Sequence, residues 1–287
     1  MARAKAKGKV AKQPASVCLV TGCASGIGRH LVGVLVEQGH RVVATDLTLA
    51  ALKEVARQDG WPADRVLLKS LDVRDSDAWD RAVEFALSRF GALDVLLNVA
   101  GYLKPGYIHD TEAIEVHKHL DVNTKGVIFG TRAAARVMVP KRHGQIVNIA
   151  SLAAIAPVPG LCLYSASKFA VRGFSLAVSQ ELERHGVAVT TVCPDAVQTP
   201  MLDLQVDYEE AALTFSGDRV LTVDDVAQAI LRAMAEKPME VLIPMGRASL
   251  AKVVNAFPQI AGRVQPLLAR KGIASQKKVK RGRRSAS

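Results

Sequence analysis

Seven short runs rich in β-branched and other apolar residues punctuate the chain, at 17–20, 42–44, 66–68, 95–97, 146–149, 189–192 and 241–243. They are apolar at successive positions rather than alternate ones, as strands covered on both faces must be. Between them lie segments of helical length and period, such as 27–38, 78–90 and 169–184. This alternation predicts a single-domain α/β fold, a Rossmann-like doubly wound sheet of about seven parallel strands with helices on both faces, over residues 17–245. No internal repeat and no Pro/Gly-rich linker divides it, and 287 residues fit one sizeable core.

Two segments stand outside the alternation. Residues 198–223 are long for a connection and follow the sixth strand, where open α/β sheets bind ligands, so they are expected to form a substrate lid. Its Met201, Leu202, Leu204, Val206, Ala211, Leu213 and Phe215 suit a hydrophobic substrate. The second is an amphipathic helix within 246–269, carrying Leu250, Val253, Val254, Phe257, Ile260, Val264, Leu267 and Leu268 and interrupted by Pro258. It is expected to pack on the body or on another subunit; a membrane surface is the alternative.

The net charge of +11 suggests nucleic acid until it is located. Residues 1–16 hold five bases and residues 270–287 hold eight, neither with an acid, which leaves 25 bases against 27 acids in between. Both ends are expected to be disordered basic tails, because their composition offers little apolar area to bury. No aromatic residues are interleaved to stack on bases, so a nucleic-acid partner is not expected. Without a signal-like or bilayer-spanning apolar run, the expected location is the cytoplasm. Cys18, Cys23, Cys162 and Cys193 are widely spaced without a CxxC pair, and are read as reduced core thiols. No metal is expected: His117 and His119, two apart on a helix, point away from each other.

The first strand runs into Thr21-Gly22-Cys23-Ala24-Ser25-Gly26-Ile27-Gly28, and a helix follows at once. Small residues let the backbone approach a pyrophosphate, to which the helix N-terminus offers unpaired N–H groups. The second strand ends at Asp46, where a carboxylate can accept both adenosine ribose hydroxyls and would repel a 2′-phosphate. No base directly follows, which favours NAD over NADP; an Asp capping the helix that starts near Leu49 fits the same position.

Tyr164 and Lys168, at i and i+4 on a helix, share one face. A tyrosine working near neutrality needs its pKa lowered by about 3 units, or about 4 kcal/mol. One positive charge at about 4 Å supplies that at an effective dielectric near 20. In isolation the pair would equally be an exposed helix face.

With Asp72-Val73 after the third strand, Asn98-Val99-Ala100-Gly101 after the fourth, Ser151 after the fifth and Tyr164-Ser165-Ala166-Ser167-Lys168 beyond it, the sequence resembles the short-chain dehydrogenase/reductase family between its tails. The resemblance implies a nicotinamide-dependent oxidoreductase acting on CH–OH groups. It implies catalytic roles for Asn123, Ser151, Tyr164 and Lys168, with Asn123 bending its helix and holding a relay water. It further implies cofactor contacts from Thr21, Gly22, Ser25, Gly26, Ile27, Gly28, Asp46, Asp72, Val73, Asn98, Ala100, Gly101, Tyr164, Lys168, Pro194, Val197 and Thr199. Asp195 departs from the family's usual glycine; were that glycine at φ > 0, an aspartate would cost energy there.

Three readings follow. The first is an NAD-linked dehydrogenase of a hydrophobic secondary alcohol or ketone, assembled as a homodimer or homotetramer. The second is the same enzyme weakly associated with a membrane and acting on a lipid-like or steroid-like substrate. The third is a non-catalytic cofactor-sensing protein whose tails contact nucleic acid; the intact Asn123, Ser151, Tyr164 and Lys168 set weighs against it.

Overall fold

A computed structural model describes residues 14–284. The order is β1 Val17–Thr21, α1 Gly26–Glu37, β2 Arg41–Asp46, α2 Leu49–Gln58, β3 Val66–Ser70, α3 Ser76–Phe90, β4 Val95–Asn98, α4 Ala113–Lys118, α5 Gly126–Met138, β5 Gly144–Ile149, α6 Cys162–Glu183, β6 Val187–Pro194, α7 Pro200–Gln205, α8 Val223–Glu236, β7 Glu240–Ile243, α9 Met245–Ala256 and α10 Pro258–Arg284. All seven strands pair in parallel, in the order β3-β2-β1-β4-β5-β6-β7. Each of the seven apolar runs lies within one of these strands.

Neighbouring Leu96 and Leu97 point to opposite faces of β4 and both are fully buried, because each face carries its own helical layer. On one face Leu31, Leu35, Val226 and Ile230 of α1 and α8 close over the sheet. On the other, Trp79, Ala82, Ala134 and Met138 of α3 and α5 do so. The helices begin where capping chemistry permits: the Asp75 carboxylate accepts from Asp77 N and Ala78 N before α3, and Thr222 with Asp225 forms a capping box at α8. The parallel arrangement brings Thr21, Asp46, Asn98, Ile149 and Pro194 to one edge, at the carboxyl ends of their strands.

Three stretches differ from the sequence expectation or refine it. The helical segment 112–139 is α4 and α5 joined by a π-helical turn, His119–Lys125, that carries Asn123. The C-terminal helix is two helices, parted at Phe257 because Pro258 lacks an N–H donor and starts α10 instead. Residues 270–284, expected to be a disordered tail, continue α10. Their composition cannot make a core of its own, but the lid supplies a surface: Gln276 is buried and donates to the carbonyls of Gln205 and Tyr208 at 2.9 and 2.7 Å. Residues 1–13 and 285–287, the greater part of the N-terminal tail and the very end of the other, lie outside the described residues. Ser16, placed in that tail, pairs its carbonyl with Arg41 N at the sheet edge. Among the described residues no helix is long and apolar enough to cross a membrane. Cys18, Cys23 and Cys193 are buried thiols, while Cys162, at the start of α6, is half-buried.

Candidate active site

At two glycines of the turn from β1 into α1 the backbone leaves no room for a side chain. Gly22 has φ 73°, and a Cβ on it would sit 2.9 Å from Ala100 Cα. A Cβ on Gly28 would lie 2.2 Å from the Gly22 carbonyl oxygen. Ser25, at the head of α1, makes no side-chain cap, and the first turn holds no acid, so its N–H groups have no capping side chain. That is a cradle for a phosphate. Thr21 serves it indirectly: its hydroxyl oxygen accepts from Val99 N and Ala100 N, both at 3.0 Å, fixing the end of β4 beside β1.

Asp46 closes β2 with each carboxylate oxygen on one backbone N–H, from Ala24 at 2.9 Å and Leu47 at 2.8 Å. Each oxygen keeps a lone pair for a ribose hydroxyl. The cap of α2 is Thr48, so Asp46 is not the cap. Leu47, which follows, is exposed. These features fit the adenosine side of a nicotinamide dinucleotide. Asp72 is held in a bidentate pair by Arg74, which pulls its carboxyl below the usual range. Val73 packs under Gly126 and gives its carbonyl to Trp79 Nε1. Asn98 is buried and donates to Asn148 Oδ1 at 2.8 Å, bracing β4 against β5 rather than facing the cradle.

Ser151, Tyr164 and Lys168 meet in a chamber of about 220 Å³, together with Ile27, Gly101, Pro194, Val197 and Thr199. Ser151 begins a short 3-10 turn, and its Oγ accepts from Ala153 N at 3.1 Å, which leaves the hydroxyl proton free to donate. Lys168 is buried and donates to the Ile149 carbonyl at 2.8 Å. Asn123 stands behind the chamber, fully buried: Oδ1 accepts from Tyr102 N at 2.7 Å, while Nδ2 donates to Tyr102 O and Ser167 Oγ, both at 2.9 Å. Asn123 Oδ1 and Lys168 Nζ converge on Gly101, 3.4 and 3.8 Å from where its Cβ would be. Thr199 brings the loop after β6 to the glycine turn, its methyl 3.2 Å from a Cβ on Gly26.

The electrostatics correct one expectation. Lys168 Nζ lies 5.6 Å from the centroid of the Tyr164 ring and spends its hydrogen bond on the Ile149 carbonyl. Burial pushes the Tyr164 phenol up to about 12, opposed by a hydrogen bond from Ser151. Burial also brings the Lys168 ammonium down to about 8. Within the protein alone, desolvation pushes both groups toward their neutral forms.

Asp195 differs too. Among the described residues it is not at positive φ, so the aspartate carries no such strain. Its side chain, 11% exposed, takes a 2.7 Å ion pair from Arg247 of α9. Burial raises the carboxyl and Arg247 opposes the rise. Sequence reasoning missed three features: Ser167, whose Oγ links Asn123 to the Tyr164 carbonyl; the Tyr102 hydroxyl, fixed on buried Glu115 at 2.6 Å; and α9 and α10, which form the outer chamber wall. The first was readable as a small residue one turn after Tyr164; the Tyr102 contact follows no local pattern, and the amphipathic spacing in 246–269 foretold a packed helix but not what it packs over. Of the seven apolar lid residues, Met201, Leu202 and Leu213 face the chamber, Leu204 is exposed, and the others pack inward.

The profile of the family described as short chain dehydrogenase matches residues 16–209. The chain belongs to the short-chain dehydrogenase family. It is a nicotinamide-linked oxidoreductase of that family. A 2-(R)-hydroxypropyl-CoM dehydrogenase from Xanthobacter autotrophicus is 36% identical over 199 residues, 68% of this chain and 79% of that protein. Zerumbone synthase from Zingiber zerumbet is 34% identical over 77% of this chain and 88% of its own. A 3-alpha-(or 20-beta)-hydroxysteroid dehydrogenase from Mycobacterium bovis is 38% identical over 65% and 71%. Among solved structures, a short chain dehydrogenase/reductase from Burkholderia phymatum in complex with NAD superposes with TM-score 0.78 at 24% identity, covering 87% of this chain and 96% of that one. ElxO with NADP bound has TM-score 0.73 at 24% identity, over 80% and 97%. These two likenesses bear on the fold.

Proposed function

We propose that this enzyme interconverts a secondary alcohol and a ketone carried on a hydrophobic body, with NAD as its cofactor. The observation that carries the reading is the convergence of Ser151, Tyr164 and Lys168 at one end of a mostly apolar chamber. Two relatives are named as dehydrogenases of a hydroxypropyl compound and a hydroxysteroid, which agrees with a hydroxyl-bearing carbon as the reacting centre. The free lone pairs of Asp46 and the exposed Leu47 beside it support NAD over NADP, since a 2′-phosphate there would meet a carboxylate and no base.

Bound along the strand ends, a nicotinamide supplies a ring carbon that accepts or gives a hydride. The residues of the chain do the rest. The glycine turn and the head of α1 hold the pyrophosphate, and Thr199 and Val197 flank the nicotinamide end. The Ser151 hydroxyl donates to the substrate oxygen and steadies the charge that grows on it. In reduction the Tyr164 phenol gives its proton to that oxygen; in oxidation the phenolate takes it back. Lys168 and Asn123 converge on Gly101, where water between them would return to the phenol the proton it gives in reduction and carry off the one it gains in oxidation.

Nicotinamide absorbance followed over a panel of secondary alcohols and ketones, with NAD and with NADP, tests the proposal. Turnover is expected with NAD, and Tyr164→Phe should lose about 10³-fold in kcat, the scale of a missing general acid. Full activity in the Phe variant overturns the mechanism, and faster turnover with NADP overturns the cofactor assignment.

A further inference from the structure

The family match stops at residue 209, inside the lid, and the chain then builds a wall of its own. From α9 and α10, Leu250, Ala251, Val254, Ala261, Val264 and Leu268 face the chamber. Two polar side chains on the same wall, Arg247 and Gln265, already have partners. Arg247 is paired with Asp195, and Gln265 Nε2 reaches the Pro157 carbonyl at 3.5 Å. The wall therefore offers apolar contact, facing the polar end where Ser151 and Tyr164 sit.

The wall is fastened to the lid along its length. Arg247 donates to the Leu213 carbonyl at 3.2 Å and to Ser216 Oγ at 2.9 Å, while the same guanidinium holds Asp195 on the nicotinamide loop. Gln276 donates to two lid carbonyls. Between them Gly272 lies so close to the lid that a Cβ would fall 1.9 Å from the Ala212 carbonyl oxygen. A backbone oxygen cannot swing aside as a side chain can, so glycine is required there by contact alone. Gly262, on the same helix, has nothing within 4 Å of its would-be Cβ.

We propose that α9 and α10 are the substrate-selecting wall of the enzyme, and that the contacts at Arg247, Gly272 and Gln276 latch the lid closed over an apolar substrate body. The idea rests on the dehydrogenase reading for its substrate and adds the element that chooses it. Arg247 is a positioning residue here, acting on the lid and the nicotinamide loop rather than on the reacting atoms.

The test uses the full chain with Gly272→Ala, Gln276→Glu and, as the matched control, Gly262→Ala. Alanine suits a helix better than glycine at both glycine positions, so only the contact distinguishes them. Chymotrypsin should cut the lid at Tyr208, Leu213 or Phe215 about tenfold faster in the first two variants, because local opening governs cleavage. Their kcat/KM for a bulky secondary alcohol should fall about tenfold through KM, with a small alcohol such as 2-propanol and NADH affinity each changed by less than about threefold. The control should match the unaltered chain in every measurement. Unchanged cleavage overturns the latch, and equal losses on large and small alcohols overturn substrate selection. If Gly272→Ala fails to bind NADH, Gln276→Glu decides alone. Absence of turnover by the unaltered chain strikes the dehydrogenase reading, and the cleavage rates still judge the latch.

Discussion

The two ends of the active site are built by opposite means. The cofactor end is mainly backbone, with glycines that have no space for a Cβ and uncapped N–H groups at the head of α1, joined by one side chain, the carboxylate at the end of β2. At the other end the chamber is walled by side chains delivered by the lid, α9 and α10, held by an ion pair and a few hydrogen bonds. A dinucleotide presents the same phosphates and ribose to every enzyme that binds it, so a rigid backbone cradle suits it. Substrate bodies vary, and a side-chain wall on separate helices can change without disturbing the sheet.

This contrast can be broken at either end. The largest effect is expected at the cradle: Gly28→Val forces a side chain into the Gly22 carbonyl, and NADH affinity should drop about 100-fold or more, about 2.7 kcal/mol. A fluorescence titration within threefold of the unaltered chain would show that the turn does not carry phosphate.

Next comes the join between the two ends. Arg247→Met leaves the Asp195 carboxyl nearly buried without its partner, and a loss of about 1–3 kcal/mol is expected in denaturant melts. Adding Asp195→Asn should recover part of it, since a neutral amide is cheaper to leave there. Additive losses in the double variant would mean that the two residues do not act as a pair.

The smallest effect is on pH. Tyr164 must be deprotonated to accept a proton and protonated to give one, and burial holds its phenol high. Oxidation should therefore accelerate as pH rises from neutrality, by at most about tenfold per unit, and reduction should slow at high pH. Parallel profiles in the two directions would remove Tyr164 from the proton path.

How much of this was legible depended on whether a residue's role is local. The seven strands could be read because burial on both faces leaves an unbroken apolar run. The placement of the glycine turn, Asp46 and the Ser151, Tyr164 and Lys168 set could be read because strand ends and one helical turn fix them in sequence. The Asp195–Arg247 pair could not, for its members are 52 positions apart and α9 must fold back over the sheet before they meet. The ordered end of α10 was hidden for a similar reason. Taken alone, residues 270–284 look like a solvated basic tail. They become a helix at the point where Gly272 and Gln276 find the lid's carbonyls.

By itself, then, the sequence determined the parallel α/β architecture and pointed to the glycine turn and to Ser151, Tyr164 and Lys168 as the proton-handling set, because hydrophobic period and short-range spacing encode them directly. Only the tertiary structure decided that Lys168 turns to a strand carbonyl, that Asp195 sits unstrained on an arginine, and that the C-terminal helices line the chamber. Each of those depends on which groups lose water together, and desolvation belongs to the packed chain rather than to any stretch of it.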